Sequence, residues 1–554
     1  MGSSSSRRRR RMNEDRSGSD ASGGSGPDRD ASNGSASGNE DRSELVTLIS
    51  YLIRSGQVRL IPSGSTDDED DDDIEDNEFV ESVRPPKVEG KPDTALMDSS
   101  DLKQEVTLNS GRFRTPSQRC QPSVNHMLQR REVGMRGKQQ FSRGDQCILS
   151  SNFLPNQVTV VARYPHKAFC GTYSEDGNVF LSACQDQYIR VYDTTNGRFR
   201  QFKAVRARDV GWSIIDVAFS PDGHYFIYSS WSEFIHICNV HGEHETHEAL
   251  NLCPEDSRFC IFSLTFSQDN REIMGGANDG CLYVYDRELN QRTLKIDAHE
   301  DDVNAVAFAD ASSHMLFSGG DDGLVKVWDR RSLREDNPEP VGVMAGHWDG
   351  ITYIESKGDA RYLLSNSKDQ SIKLWDVRKF ATTEAQQATK RAVARQTWDY
   401  RWQQFPRRVI RKKVIPGDTS IMTYRGHSIL YTLIRCHFSP EFTTGQRYIY
   451  TGCATGGLII YDTLTGDIVK RLEGPRACVR DVAWHPFEHN IMTASWDGTI
   501  GKWYHEKEPD TEPNLTSDES DDDTDSDEGM GLRRSKRLRN KSRGNTGGFL
   551  GLFS

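Results

Sequence analysis

The chain has 554 residues, a formal net charge of −12 and only 35% hydrophobic residues, below the roughly 45–50% of globular chains, so part of it is expected to stay unfolded. Its 11 cysteines form no CxxC pair and several lie in apolar strand-like runs, which suits buried free thiols in a reducing compartment, and no run approaches the roughly 20 apolar residues of a membrane span. The charge is an average of opposed runs, ten acidic residues in 67–78 and eight in 517–528 against Arg7–Arg11 and seven basic residues in 533–543; the near-balanced middle argues against a fold that works by gripping nucleic-acid phosphates.

In chain order, residues 1–42 are Ser, Gly, Arg and Asp with little to bury and read as disordered. Met1-Gly2 followed by Ser3–Ser6 fits the loose N-myristoylation pattern at Gly2, and Arg7–Arg11 supplies the electrostatic second signal that stable anchoring needs. Ser-rich starts also match this pattern by chance, so a membrane role rests on lipidation of Gly2 alone. Within 43–62, Leu45, Leu48, Ile49 and Leu52 fall at i, i+3, i+4 and i+7, which predicts an amphipathic helix started by Ser43 and ended by Gly56. Such a helix has no core of its own. It either docks in a groove on a partner or packs across its own fold, and both readings predict a helix. Residues 63–150 are polar with short apolar islands and read as a mostly disordered linker.

The sequence then repeats itself within 151–505. Each unit has an apolar alternating run, a Gly/Asp turn and a β-branched run ending in an aromatic plus Asp. These ends fall at Tyr192-Asp193, Cys238-Asn239, Tyr285-Asp286, Trp328-Asp329, Trp375-Asp376, Tyr461-Asp462 and Trp503-Tyr504, with spacings of 46, 47, 43, 47, 86 and 42. Seven ends at this period predict seven four-stranded blades of an all-β propeller. The long interval marks an insertion at 379–419, whose Trp398–Trp402 and Arg407–Lys413 interleave aromatics with bases. Because it starts directly after Arg378, it emerges on the same face as that residue, and it reads first as a helical spur buttressing the propeller or the adaptor contact, with nucleic-acid binding as the alternative. The seventh unit lacks an outer strand, and Gln157–Tyr164 is predicted to supply it and close the ring. Residues 506–554 form an acidic then basic tail, read as disordered. Its Arg533–Lys541 run fits nuclear entry, giving nuclear and cytoplasmic localisation as the expectation.

The best units carry Ala298-His299, Ser318-Gly-Gly-Asp-Asp322 and Trp328-Asp329, then Gly346-His347, Ser365, Asp369 and Trp375-Asp376. This pattern resembles the WD40 family. The resemblance implies two buried hydrogen-bonded tetrads, His299, Ser318, Asp322 and Trp328, and His347, Ser365, Asp369 and Trp375. With those residues given structural work, and with no phosphate-cradling loop, HExxH or GxSxG motif, no catalytic residue, metal or cofactor is expected.

Two consecutive units end in Trp-Asp-x-Arg, at Asp329-Arg330-Arg331 and Asp376-Val377-Arg378. These boxes, together with Ala207–Trp212, Gly275–Val284, Glu300–Phe308 and Ser356–Arg361, are similar to the cullin-4-associated factors, the WD-repeat substrate receptors of cullin-4 RING ubiquitin ligases. The resemblance implies that Asp329, Arg331, Asp376 and Arg378, with the helix residues Leu45, Leu48, Ile49 and Leu52, contact the ligase adaptor, the large damage-specific DNA-binding protein subunit. Cullin-4 and the RING subunit would be reached indirectly. Protein substrates would be taken by the opposite face, near His299, His347, His427, Asp322 and Asp369, for ubiquitination and proteasomal degradation. The competing expectation is a WD40 scaffold in RNA processing or chromatin complexes, with the basic insertion and tail as its binding elements.

Overall fold

A computed structural model describes residues 91–112, 123–134, 140–242, 246–254, 258–405 and 415–507. Its strands form seven four-stranded antiparallel sheets, the blades of a closed β-propeller. Blade one comprises Ala168–Tyr173, Val179–Cys184, Tyr188–Asp193 and Arg200–Arg206, and the next five follow the same order from the channel outward, beginning at Asp216, Ile261, Val303, Ile351 and Cys436. In blade seven, Val479–Trp484, Ile491–Ser495 and Thr499–Tyr504 are completed by Gln157–Arg163, which pairs Gln157 with Tyr504 and Arg163 with Thr499. The N-terminal strand therefore closes the ring and leaves no open edge there.

Burial follows from this stacking. Third strands such as Ser371–Asp376 are buried at every position, whereas an outermost strand such as Ile468–Glu473 alternates with solvent. The core lies between blades: Trp328 of blade four packs with Met274 and Leu282 of blade three. The ten described cysteines are free thiols, nine of them buried. Two faces result. The turns joining second to third strands, with the loops between blades, form one face, which carries His299 and Asp322. The turns joining third to fourth strands form the other, which carries Arg331 and Arg378.

One expectation needs correction. Residues 63–150 were expected to be mostly disordered, yet Ala95–Asp98, Asp101–Asn109, Val124–Glu132 and Arg143–Ser150 are helical. Met97, Leu102 and Val106 are buried against Tyr362, Tyr424 and Tyr461. An apolar pair at i, i+4 is too small a stripe to fold alone, but the hydrophobic rim of blades five and six supplies the missing core.

The insertion leaves from the Arg378 face but does not stay there. Ala381 N–H donates to Val343 O at 2.8 Å, and the helix Thr383–Val393, capped by Thr382, packs Ala385 against Leu324, Val343 and Ala345. Lys390 reaches Glu300 at 2.5 Å. The helix thus buttresses blade four and carries Trp398–Phe405 onto the opposite face, where Trp398 Nε1–H donates to Asp349 at 3.0 Å and Tyr431 N–H to Tyr400 O at 2.8 Å. Residues 406–414 of the basic cluster lie outside the described residues.

Candidate protein-docking faces

In blade four, His299 Nδ1 lies 3.0 Å from Asp322 and Nε2 2.7 Å from Ser318 Oγ, which accepts from Trp328 Nε1–H at 2.9 Å. Blade five repeats the chain with His347, Asp369 at 2.9 Å, Ser365 at 2.7 Å and Trp375 at 2.7 Å. Burial penalises the Asp369 carboxylate, but His347 beside it more than compensates and holds it well below the usual range. Asp322 is lowered likewise by His299. Elsewhere the same positions use other chemistry. Trp503 Nε1–H donates to Thr493 Oγ1 at 3.0 Å with no histidine, and His427 bridges Tyr461 OH at 3.0 Å and Asn366 Oδ1 at 3.1 Å. Burial pushes His427 down to about 3, so it is neutral. These histidines are interior, and a ligand on this face would meet the loops around them.

The two Trp-Asp-x-Arg boxes lie on adjacent blades. Arg331 grips Asp329 through Nε at 2.9 Å and Nη2 at 2.8 Å, with its side chain 64% exposed. That fork holds Asp329 at about 2. Arg378 grips Asp376 through Nε at 3.2 Å and Nη2 at 2.9 Å, and is 60% exposed. Burial raises Asp376 in spite of Arg361, which also approaches it at 3.4 Å. Exposed pairs contribute little stability, so the forks serve to fix each guanidinium in a plane with outward N–H groups free to donate. The intervening Arg330 is committed elsewhere, bonding Glu272 of blade three through Nε at 2.9 Å. Asp101, on the helix Asp101–Asn109, meets Arg361 at 2.7 Å and Arg378 at 3.4 Å. Leu45, Leu48, Ile49, Leu52 and Gly2 lie outside the described residues.

Several residues that shape this face escape a motif search. A cavity of about 690 Å³ opens there, bordered by Asp216, Glu355, Arg435, His437 and Asp481. Arg435 crosses the channel from blade six, reaching Asp216 of blade two at 2.5 Å and Asp481 of blade seven at 3.2 Å. Arg480 donates to Phe169 O at 2.8 Å and Ile215 O at 2.9 Å. Burial disfavours a charged His437, but Glu355 at 2.8 Å and Asp481 outweigh it and raise the ring to about 9. The signal for this plug was the repeated Asp-Val-Ala-aromatic of Asp216–Phe219 and Asp481–Trp484, which marks equivalent inner-strand carboxylates. Among the described residues, no group of three or more His, Cys, Asp or Glu is placed to hold a metal ion.

The model for the WD domain, G-beta repeat, matches residues 290–329, 338–376 and 466–503. With seven closed blades and two complete tetrads, this defines the chain as a WD-repeat β-propeller protein. A Caenorhabditis elegans protein named DDB1- and CUL4-associated factor 11 homolog is 40% identical over 416 residues, covering 73% of this chain and 72% of that protein. Its Caenorhabditis briggsae counterpart is 39% identical, covering 67% and 69%. The LEC14B protein of Lithospermum erythrorhizon is 41% identical over 394 residues, covering 69% of this chain and 82% of that protein. The chain belongs to the DDB1- and CUL4-associated factor 11 family.

Proposed function

We propose that this chain is the substrate-recognition subunit of a cullin-4 RING ubiquitin ligase. The face bearing Arg331 and Arg378 takes the ligase adaptor, and through it cullin-4 and the RING subunit; the opposite face holds protein substrates for ubiquitination. The observation that carries this reading is the pair of exposed guanidiniums on adjacent blades, each locked by the aspartate of its own box. The names of the nematode relatives support it, since they tie those proteins to DDB1 and CUL4. The chain's contribution is proximity: it holds the substrate near a ubiquitin-loaded enzyme and leaves the bond-making to other subunits. Leu45, Leu48, Ile49 and Leu52 form a second adaptor contact in this reading, and the Arg533–Lys541 run gives the chain a nuclear as well as a cytoplasmic pool.

Affinity purification of the full chain from cells tests this, comparing wild type with Arg331→Ala/Arg378→Ala and with Leu48→Asp. Wild type is expected to retain the adaptor and both variants to lose it while remaining folded. Failure of wild type to bring down the adaptor would overturn the receptor reading in favour of a scaffold without ubiquitin chemistry.

A further inference from the structure

On the tetrad face, the insertion covers the rim over blades five to seven. Trp398 and Phe405 pack edge to face at 5.0 Å and join the cluster of Ile429, Leu430 and Cys478. Among the described residues, the rim over blades two to four keeps exposed side chains beside the insertion. Its first half is aromatic. Trp212 is 49% and Trp231 41% exposed; Trp212 stands edge-on to Phe169 at 5.3 Å and Trp231 edge-on to Phe262 at 6.3 Å. Their loops touch, because a Cβ on Gly211 would sit 2.7 Å from Trp231 O.

The second half is acidic. Asp321 N–H donates to Asp302 O at 2.9 Å, and Asp301 adjoins them. Lys368 is engaged with both Asp321 oxygens at 2.7 Å, and Arg401 with Asp399 at 2.7 Å. Among the described residues, Asp302 therefore has no cation within ion-pair distance. Burial, then Asp321 and Asp301, push it up to about 7. One contact on this face shows an indole holding a cation: Lys167 Nζ lies 4.1 Å over the Trp496 ring.

We propose that this rim, from Trp212 and Trp231 to Asp302 and Asp321, binds a basic segment of a partner protein in which Lys or Arg alternates with apolar residues. The inference rests on the receptor reading and names its substrate class. The apolar side chains cover the exposed indoles, one cation stacks on an indole, and another pairs with Asp302, which among the described residues has no cation within ion-pair distance. A basic segment also suits the crowding of like charge here, since an acidic one would add to it.

The test uses the full chain and a fluorescein-labelled peptide of alternating leucine and arginine, with a leucine–glutamate peptide as control, read by fluorescence anisotropy. The arginine peptide is expected to bind and the glutamate peptide not to. Asp302→Asn and Trp231→Ala should each weaken binding by about tenfold, with adaptor capture by both variants at the wild-type level. The groups facing Asp302 are Asp301 on its own loop, Asp321 and Lys368 on the neighbouring turns, Arg401 of the insertion and the Cys260 thiol of blade three. A cation needs the ionised carboxylate, so wild-type affinity should fall as the pH drops from 8 to 6, and the Asp302→Asn variant should lose that dependence. Equal binding of both peptides, or no effect of either variant, overturns the proposal, and intact adaptor capture would then leave the receptor reading standing. Binding seen only when Arg533, Arg534, Lys536, Arg537, Arg539 and Lys541 are replaced by glutamine also overturns it, because the chain's own tail would be the occupant.

Discussion

The two faces of this ring treat charge in opposite ways. On the Trp-Asp-x-Arg face the cations are matched: Arg330 by Glu272, Arg331 by Asp329, and Arg361 and Arg378 by Asp376 and Asp101. Behind them Arg435 plugs the channel between two aspartates. On the tetrad face burial, then Asp321 and Asp301, push Asp302 up to about 7, and Trp212 and Trp231 stand half exposed. Matched, oriented groups make a rigid platform that one partner can dock on repeatedly. A buried-edge carboxylate and bare indoles on one face make a surface that gains free energy when something covers it.

Four substitutions or titrations sharpen that contrast. The largest effect is expected from Arg435→Met, which leaves Asp216 and Asp481 buried without their cation and should cost about 3–5 kcal/mol in a urea or thermal melt; a loss below about 1 kcal/mol would mean the plug is not structural. Next is a pH effect on the same network. His437 is raised from its ordinary 6.5 to about 9, so its contribution is complete below pH 6.5 and fades as the pH rises through 9. That loss should be on the order of 2–3 kcal/mol, and His437→Gln should flatten it.

Third, Arg331→Ala and Arg378→Ala should each cost about 1.5–3 kcal/mol of adaptor affinity. Both side chains are exposed, so the melting temperature should hold. The smallest effect is that of Asp101→Asn, which removes a long contact to Arg378 and should change adaptor affinity by less than about 1 kcal/mol. A double-mutant cycle with Arg378→Ala checks that the change runs through that arginine, since it should then disappear.

Much of the fold is legible in the sequence because each blade announces itself. A strand ending in an aromatic plus Asp recurs in five of the seven blades, with Cys238-Asn239 and Trp503-Tyr504 at the same place in the other two, and the missing outer strand of the last unit points to Gln157–Arg163 as its partner. The tetrads of blades four and five are legible because their four residues sit at fixed offsets within one unit. What escapes is long-range. Arg435 meets Asp216 only because seven sheets close into a ring, and no local pattern carries that distance. The helix Asp101–Asn109 has too short an apolar stripe to stand out from polar sequence, and its core is lent by blades five and six. The insertion's destination also depends on tertiary packing: the helix Thr383–Val393 runs up blade four and delivers Trp398 to the face opposite its origin.

The most direct measurement is calorimetric titration of the purified full chain with the purified large damage-specific DNA-binding protein subunit, for wild type, Arg331→Ala/Arg378→Ala and Asp302→Asn. Wild type and Asp302→Asn are expected to bind alike and the double arginine variant to bind at least tenfold more weakly. Equal affinity for all three, or weakening by Asp302→Asn alone, would contradict the assignment of the adaptor to the Trp-Asp-x-Arg face.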